Sequence, residues 1–116
     1  NIDSGQLDNA CGKYVKCTTA SITAAAAAAA KNMPDDFRVS ITNAAGADAY
    51  PASTFTWLLV YRMQQDKVKG EAIVDFLNWM LEDGQKYAPE LGYAQLPASV
   101  IAKEKQAIKR VIIKKS

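Results

Sequence analysis

Apolar residues recur at helical spacing through the second half of the chain. Ile73, Phe76, Leu77, Met80, Leu81, Gly84, Tyr87 and Ala88 follow the i, i+3, i+4, i+7 rule of one buried helix face. The pattern predicts a helical segment over 70–92, entered through a polar connection at 64–69. A mid-helix glycine costs about 1 kcal/mol relative to alanine, so a neighbouring backbone is expected to pass close to Gly84. Pro89 interrupts the ladder, and Gly92 is placed as a left-handed cap after Leu91. Two further helices are expected. Seven consecutive alanines at 24–30 follow the capping hydroxyls of Thr18, Thr19 and Ser21 and end at Asn32 before Pro34. Ser99 can open a last helix carrying Val100, Ile101, Ala107, Ile108, Val111 and Ile112 on one side.

Strand signals lie between these helices. Residues 1–17 read as a loop followed by a short strand or hairpin, with Asn9-Ala10-Cys11-Gly12 as turn and Tyr14-Val15 as a β-prone pair. Residues 37–41, Phe-Arg-Val-Ser-Ile, alternate as a short strand should. Tyr50-Pro51 fixes an extended entry into residues 54–61, Thr-Phe-Thr-Trp-Leu-Leu-Val-Tyr, the clearest strand of the chain. Its continuous apolar run at 57–60 predicts burial on both faces, as in an α/β sheet covered by helices.

At 116 residues the chain has the length of about one domain. A net charge of +2 is too small to argue for nucleic acid, although Lys103, Lys105, Lys109, Arg110, Lys114 and Lys115 crowd the last fourteen residues against Glu104 alone. Such a cationic segment reads as a solvated helix face that also complements the helix dipole. No segment approaches the ~18–20 apolar residues that cross a bilayer. The chain starts at Asn1, so it reads as a processed product or a piece of a longer chain, with any export signal outside it.

Histidine is absent, which removes the commonest general base and metal ligand. Asp75, Glu82, Asp83 and Glu90 could be posed as paired carboxylates, but without a nucleophile or a nucleotide loop beside them they read as helix-face charges. No enzyme, cofactor or metal is expected. Cys11 and Cys17 flank Gly-Lys-Tyr-Val-Lys and cannot complete a zinc shell alone. A short-loop disulfide between them and two free, partly buried thiols remain equal readings. Trp57 and Trp79, among Leu58, Leu59, Leu77 and Met80, read as core or interlobe packing residues rather than as ligand platforms.

Several spaced motifs share one register: Asn9-Ala10-x-Gly12-Lys13-Tyr14-Val15, Asp36-x-Arg38-x-Ser40-Ile41-Thr42-Asn43, Gly46-x-Asp48-Ala49-Tyr50-Pro51-x-Ser53-Thr54-Phe55-Thr56-Trp57, Phe76-Leu77-x-Trp79, Gly84-Gln85-Lys86-Tyr87-Ala88 and Leu91-Gly92-Tyr93-Ala94-x-Leu96-Pro97. In these the chain resembles the C-terminal part of the periplasmic phosphate-binding proteins of bacterial ABC phosphate transporters, over nearly its whole length. Cys17 stands where the family commonly has proline, and Cys11 where a small residue is usual.

The resemblance implies an α/β fold: the C-terminal portion of a two-lobe periplasmic-binding-protein architecture, with an incomplete sheet flanked by helices. Residues 1–49 would end one lobe, 50–61 would form a crossover strand, and 62–116 would supply the closing helices of the other. It implies a segment of a periplasmic or extracytoplasmic protein, free or membrane-anchored through a missing N-terminus, that captures inorganic phosphate for an ABC permease. Phosphate rather than sulfate or molybdate rests on the resemblance alone. The family's ligands, including a Ser-Gly-Thr helix N-terminus, would all precede Asn1, so no phosphate-binding position is assigned here. Ser53, Thr54 and Thr56 read as structural hydroxyls. A second reading is a stand-alone interaction module of the same scaffold, which self-associates, exchanges domains or pairs with a separate N-terminal half.

Overall fold

The computed structural model describes residues 4–114; Lys115 of the cationic run lies outside them. The chain opens with a hairpin whose strands β1 (Leu7–Asp8) and β2 (Tyr14–Val15) pair antiparallel, Leu7 opposite Val15. Gly12 makes the turn at φ +70°. Asn9 locks it: its side-chain oxygen accepts from the amides of Cys11 and Lys13, while its amide group donates to the carbonyls of Gly46, Ala47 and Ala49 at 3.0–3.2 Å. One buried side chain thereby fastens the hairpin to a loop nearly forty residues away.

Helix α1 (Thr19–Ala29) begins at Thr18, where the Thr18 and Ser21 side chains cap each other's backbone amides. It closes in a 3₁₀ turn, Ala30–Asn32, just before Pro34, as the sequence predicts. The small alanine side chains let other segments approach closely. Ala25 and Ala26 pack against Ile41 and Ala49, and Ala30 packs against Met33 and Val100. Phe55 touches both clusters, which together form the core. The neighbour is loop and helix, not a sheet.

Helix α2 (Lys67–Leu81) starts three residues earlier than the stripe predicts, because Asp66 caps it by accepting from the Lys69 amide at 3.0 Å. It ends at Leu81 and continues as 3₁₀ turns at Asp83–Lys86 and Pro89–Leu91. Gly92, at φ +79°, is the left-handed cap expected of it. The break after Leu81 takes the later stripe out of register, leaving Tyr87 exposed, and within α2 Leu81 is buried while Phe76 is exposed. The single buried face expected over 73–88 is therefore not formed. Gly84 does meet a backbone, but that of its own preceding turn, where a Cβ would lie 3.2 Å from the Trp79 carbonyl oxygen.

Helix α3 (Ala98–Ile108) starts at Pro97 without a side-chain cap, in place of the expected Ser99 cap. Val100 is its buried anchor, and Ile112 has left the helix. Ile112 instead lies in β4 (Ile112–Ile113), which pairs parallel with β3 (Met63–Gln64). The first turn of α2 lies over this pair through Gly70, where a Cβ would stand 2.8 Å from Gln64 Cβ and 3.3 Å from Ile113 Cγ1. Gly70 is the close-approach glycine that the sequence reading assigned to Gly84.

The arrangement of helices and two small sheets is compatible with an α/β class. The strand expected at 37–41 does not form. Asp36 takes the Arg38 amide at 3.1 Å and the Arg38 guanidinium at 2.8 Å, and Phe37 sits at φ +59°, so a local turn displaces the extended chain. The ladder expected at 54–61 is also absent among the described residues, and its predicted burial on both faces is overturned. Leu58 is 56% and Leu59 97% exposed. The strands among the described residues are all two residues long, so within them this run has neither a ladder neighbour nor a layer to cover it.

Candidate functional site

Residues 54–61 carry the most conspicuous unfilled bonding capacity of the described chain. They hold eight backbone amides, and none donates to another backbone group among the described residues. Such groups must all be accounted for; here no described backbone carbonyl takes them. Side-chain anchors fix the run at its ends. Ser53 is buried, and its hydroxyl donates to the Tyr50 carbonyl at 2.7 Å. The Trp57 indole donates to the Phe37 carbonyl at 2.9 Å, and Gln64 donates to the Tyr61 carbonyl at 2.6 Å. Phe55 and Trp57 meet edge to face with ring centroids 6.2 Å apart, as alternate residues of an extended segment do. Between these anchors Leu58, Leu59, Val60 and Tyr61 project outward, and Met63 and Ile112 continue the apolar surface across the parallel pair.

A second exposed aromatic group lies along α2. Phe76 and Trp79 stack at 5.9 Å, and Trp79 meets Tyr87 at 6.2 Å. The turn beneath them is held by Gln85, whose side chain donates to the Met80 carbonyl and accepts from the Leu96 amide. Gln95 donates to the Gln85 carbonyl and its own carbonyl accepts from Thr23, which ties α1 to the approach to α3. Contiguous exposed apolar surface of this kind marks interaction sites.

The polar candidates do not converge. Thr54 bonds only to the neighbouring Phe55 carbonyl, and Thr56 is exposed. Two open grooves among the described residues, about 420 Å³ between α2 and α3 and about 650 Å³ between the hairpin and α1, are not lined by Ser53, Thr54 or Thr56. Glu82 pairs with Lys105 and Asp83 with Lys86, while Asp75 and Glu90 lie exposed on α2 and on the Pro89–Leu91 turn. Among the described residues no cluster of three acidic, cysteine or histidine side chains could hold a metal ion. No described helix is long and apolar enough to cross a membrane. Cys11 and Cys17 are free and both exposed, not partly buried.

Charges serve to stitch the fold. Arg110 pairs with Asp35 at 2.9 Å and Lys103 donates to the Met33 carbonyl at 3.1 Å, so the cationic segment is partly committed to the α1–α3 junction. Hydrogen bonds from the Arg38 amide and guanidinium hold the Asp36 carboxyl below its usual range. The hydrogen bond to Asp83 holds the Lys86 ammonium above its own. Burial pushes the Glu104 carboxyl up.

The amides of 54–61, unpaired among the described residues, follow from a strand-forming run left without neighbours. The signal was present in the β-branched and aromatic composition of the run; what it lacked was a count of strands available to pair with it. No family model matches the chain. Over 95 residues, 82% of its length, it is 37% identical to the phosphate-binding protein PstS of Xylella fastidiosa, covering 26% of that protein. It is 39% identical over 108 residues to the phosphate-binding protein PstS of Methanocaldococcus jannaschii, covering 81% of this chain and 27% of that one. The phosphate-binding protein PstS of Pasteurella multocida is 31% identical over 97 residues, 84% of this chain and 28% of the relative. The chain thus spans about a quarter of the length of the curated relatives it matches.

Proposed function

We infer that this chain, a homologue of the phosphate-binding proteins along a stretch equal to about a quarter of their length, is a scaffold segment of an extracytoplasmic protein that captures inorganic phosphate. The intact protein would close two lobes around the anion and deliver it to an ABC permease, binding without catalysis. Residues 1–49 would complete one lobe, 50–61 would cross between lobes, and 62–116 would close the other. The observation that carries this reading is the identity to proteins named for phosphate binding across four-fifths of the chain.

The side-chain chemistry agrees with a scaffold role. Ser53 spends its hydroxyl on its own backbone, and Glu82 and Asp83 are committed to lysines. The phosphate ligands would come from a part of the protein that this sequence does not include. The isolated chain is therefore expected to show no heat of phosphate binding in titration calorimetry at micromolar concentrations. Micromolar affinity of the chain alone would overturn the scaffold assignment.

A second reading, a stand-alone module that self-associates, is favoured by one observation, the exposed apolar run at 57–61. Light scattering separates the two: a stable homodimer supports the module, and a monomer supports the segment.

A further inference from the structure

Cys11 and Cys17 are exposed thiols close in sequence, yet the fold holds them at opposite ends of a strand. Cys11 lies in the hairpin turn, where its amide donates to the Asn9 side-chain oxygen. Cys17 follows β2 and directly precedes Thr18, the cap of α1. Between them β2 is kept extended by the pairs Leu7–Val15 and Asp8–Tyr14. At about 3.3 Å per residue, the extended chain separates the two Cα atoms by roughly 10 Å or more. A disulfide needs Cα atoms within about 7 Å of each other. The two thiols therefore cannot join while the hairpin is paired.

We propose that this pair is a redox clasp: a Cys11–Cys17 disulfide and the β1–β2 hairpin exclude each other, so oxidation opens the hairpin and releases the 46–49 loop. The device is independent of the phosphate-capture reading. Closing the ring must break one of two attachments. On the helix side, the Ser21 hydroxyl donates to the Lys16 carbonyl at 2.7 Å, and Thr18 and Ser21 cap each other's amides. That cap opens a helix whose Ala25 and Ala26 are buried in the core. On the hairpin side the strands are two residues each and mostly exposed, and a lone two-stranded hairpin is marginal in water. The hairpin is the weaker attachment, so it yields. With it go the bond from the Asn9 amide to the Lys13 carbonyl, 2.9 Å, and that from the Lys13 amide to the Asn9 side chain, 3.2 Å. Asn9 then loses the position from which it holds Gly46, Ala47 and Ala49. The exposed Lys13–Asp48 pair adds little to that hold. The loop so released leads directly into Tyr50–Pro51.

The oxidant is a low-molecular-weight disulfide. One cysteine thiolate attacks it, releases one small thiol and leaves a mixed disulfide on the protein. The second thiolate attacks the protein sulfur of that mixed disulfide and expels the other small thiol. Two electrons pass from the cysteine pair to the reagent, and the two cysteine protons end on the small thiols. In the paired hairpin the second step is out of reach, so mixed disulfides accumulate.

The test equilibrates the 116-residue chain with mixtures of reduced and oxidised glutathione and separates ring from mixed disulfide by mass spectrometry. Asn9→Ala removes the clamp and should raise the ratio of ring to mixed disulfide about tenfold or more, as loss of buried hydrogen bonds implies. In the purified ring form of the unsubstituted chain, the Asn9 and Lys13 amides should exchange about tenfold faster or more than in the reduced chain. Those of Ala25 and Ala26 should keep their protection. This second measurement needs no variant, so it decides even where Asn9→Ala fails to fold. A ring form that keeps the Asn9 and Lys13 amides protected would overturn the proposal. So would loss of α1 protection on ring closure, a ratio that Asn9→Ala leaves unchanged, or covalent dimers in place of the ring in both chains.

Discussion

Asn9 and Gly70 each do a job that no substitute fits. The Asn9 side chain satisfies three carbonyls and two amides from a buried position. Removing it strands buried polar groups, at about 1–3 kcal/mol for such a loss. Asn9→Ala is therefore expected to lower stability by about 2–3 kcal/mol in urea denaturation, and the hairpin should lose protection in hydrogen exchange before α2 does. Equal loss of protection in both would mean that the clamp supports the whole fold. At Gly70 two effects compete. Alanine would gain about 1 kcal/mol of helix propensity, but its Cβ would stand 2.8 Å from Gln64 Cβ. Overpacking of this kind typically costs about 1–3 kcal/mol, so clash should win and Gly70→Ala should destabilise. A stabilised variant would show that the α2–β3 contact yields easily.

Among the helices, α3 has the least favourable local chemistry. It lacks a side-chain cap, and its one acid, Glu104, is partly buried. Burial favours the neutral carboxyl and raises its pKa above the ordinary 4.5. A raised carboxyl contributes most below its unfolded value, and that contribution is lost as pH rises through the folded one. Glu104→Gln is accordingly expected to raise the midpoint of thermal unfolding at pH 7, with the gain shrinking toward zero below pH 4. A gain independent of pH would assign the effect to helix propensity instead. Other element limits were legible in the residues themselves. The Thr18 cap, the stop before Pro34 and the left-handed Gly92 each follow from chemistry within a few positions, and each is where the sequence placed it. The α2 stripe was not, because a stripe assumes one unbroken helix and the backbone turns after Leu81.

For the molecule as a whole, composition and length predict an ordinary compact domain, yet the chain extends 56 × 31 × 19 Å. Its core is two small clusters bridged by Phe55 rather than one. The aromatic group on α2 and residues 56–61 are left outside both. Backbone exchange in the isolated chain is therefore expected to be graded. Residues 54–61 should exchange nearly as fast as unstructured peptide, and the central turns of α1, around Ala25 and Ala26, should be the slowest. Uniform protection would show that the run is already paired.

By itself the sequence determined the features that depend on near neighbours: caps, breakers, turn residues, the three helices and the homology carried by spaced motifs. It also identified 54–61 as a strand-forming run. Tertiary structure decided which glycine bears the close contact, which hydrophobic residues are buried, and that Asn9 reaches across to the 46–49 loop. It also decided that the strand-forming run pairs with no other strand among the described residues. The reason is physical: a strand is completed by hydrogen bonds to other segments, so its composition can announce it but only the presence of neighbours can form it.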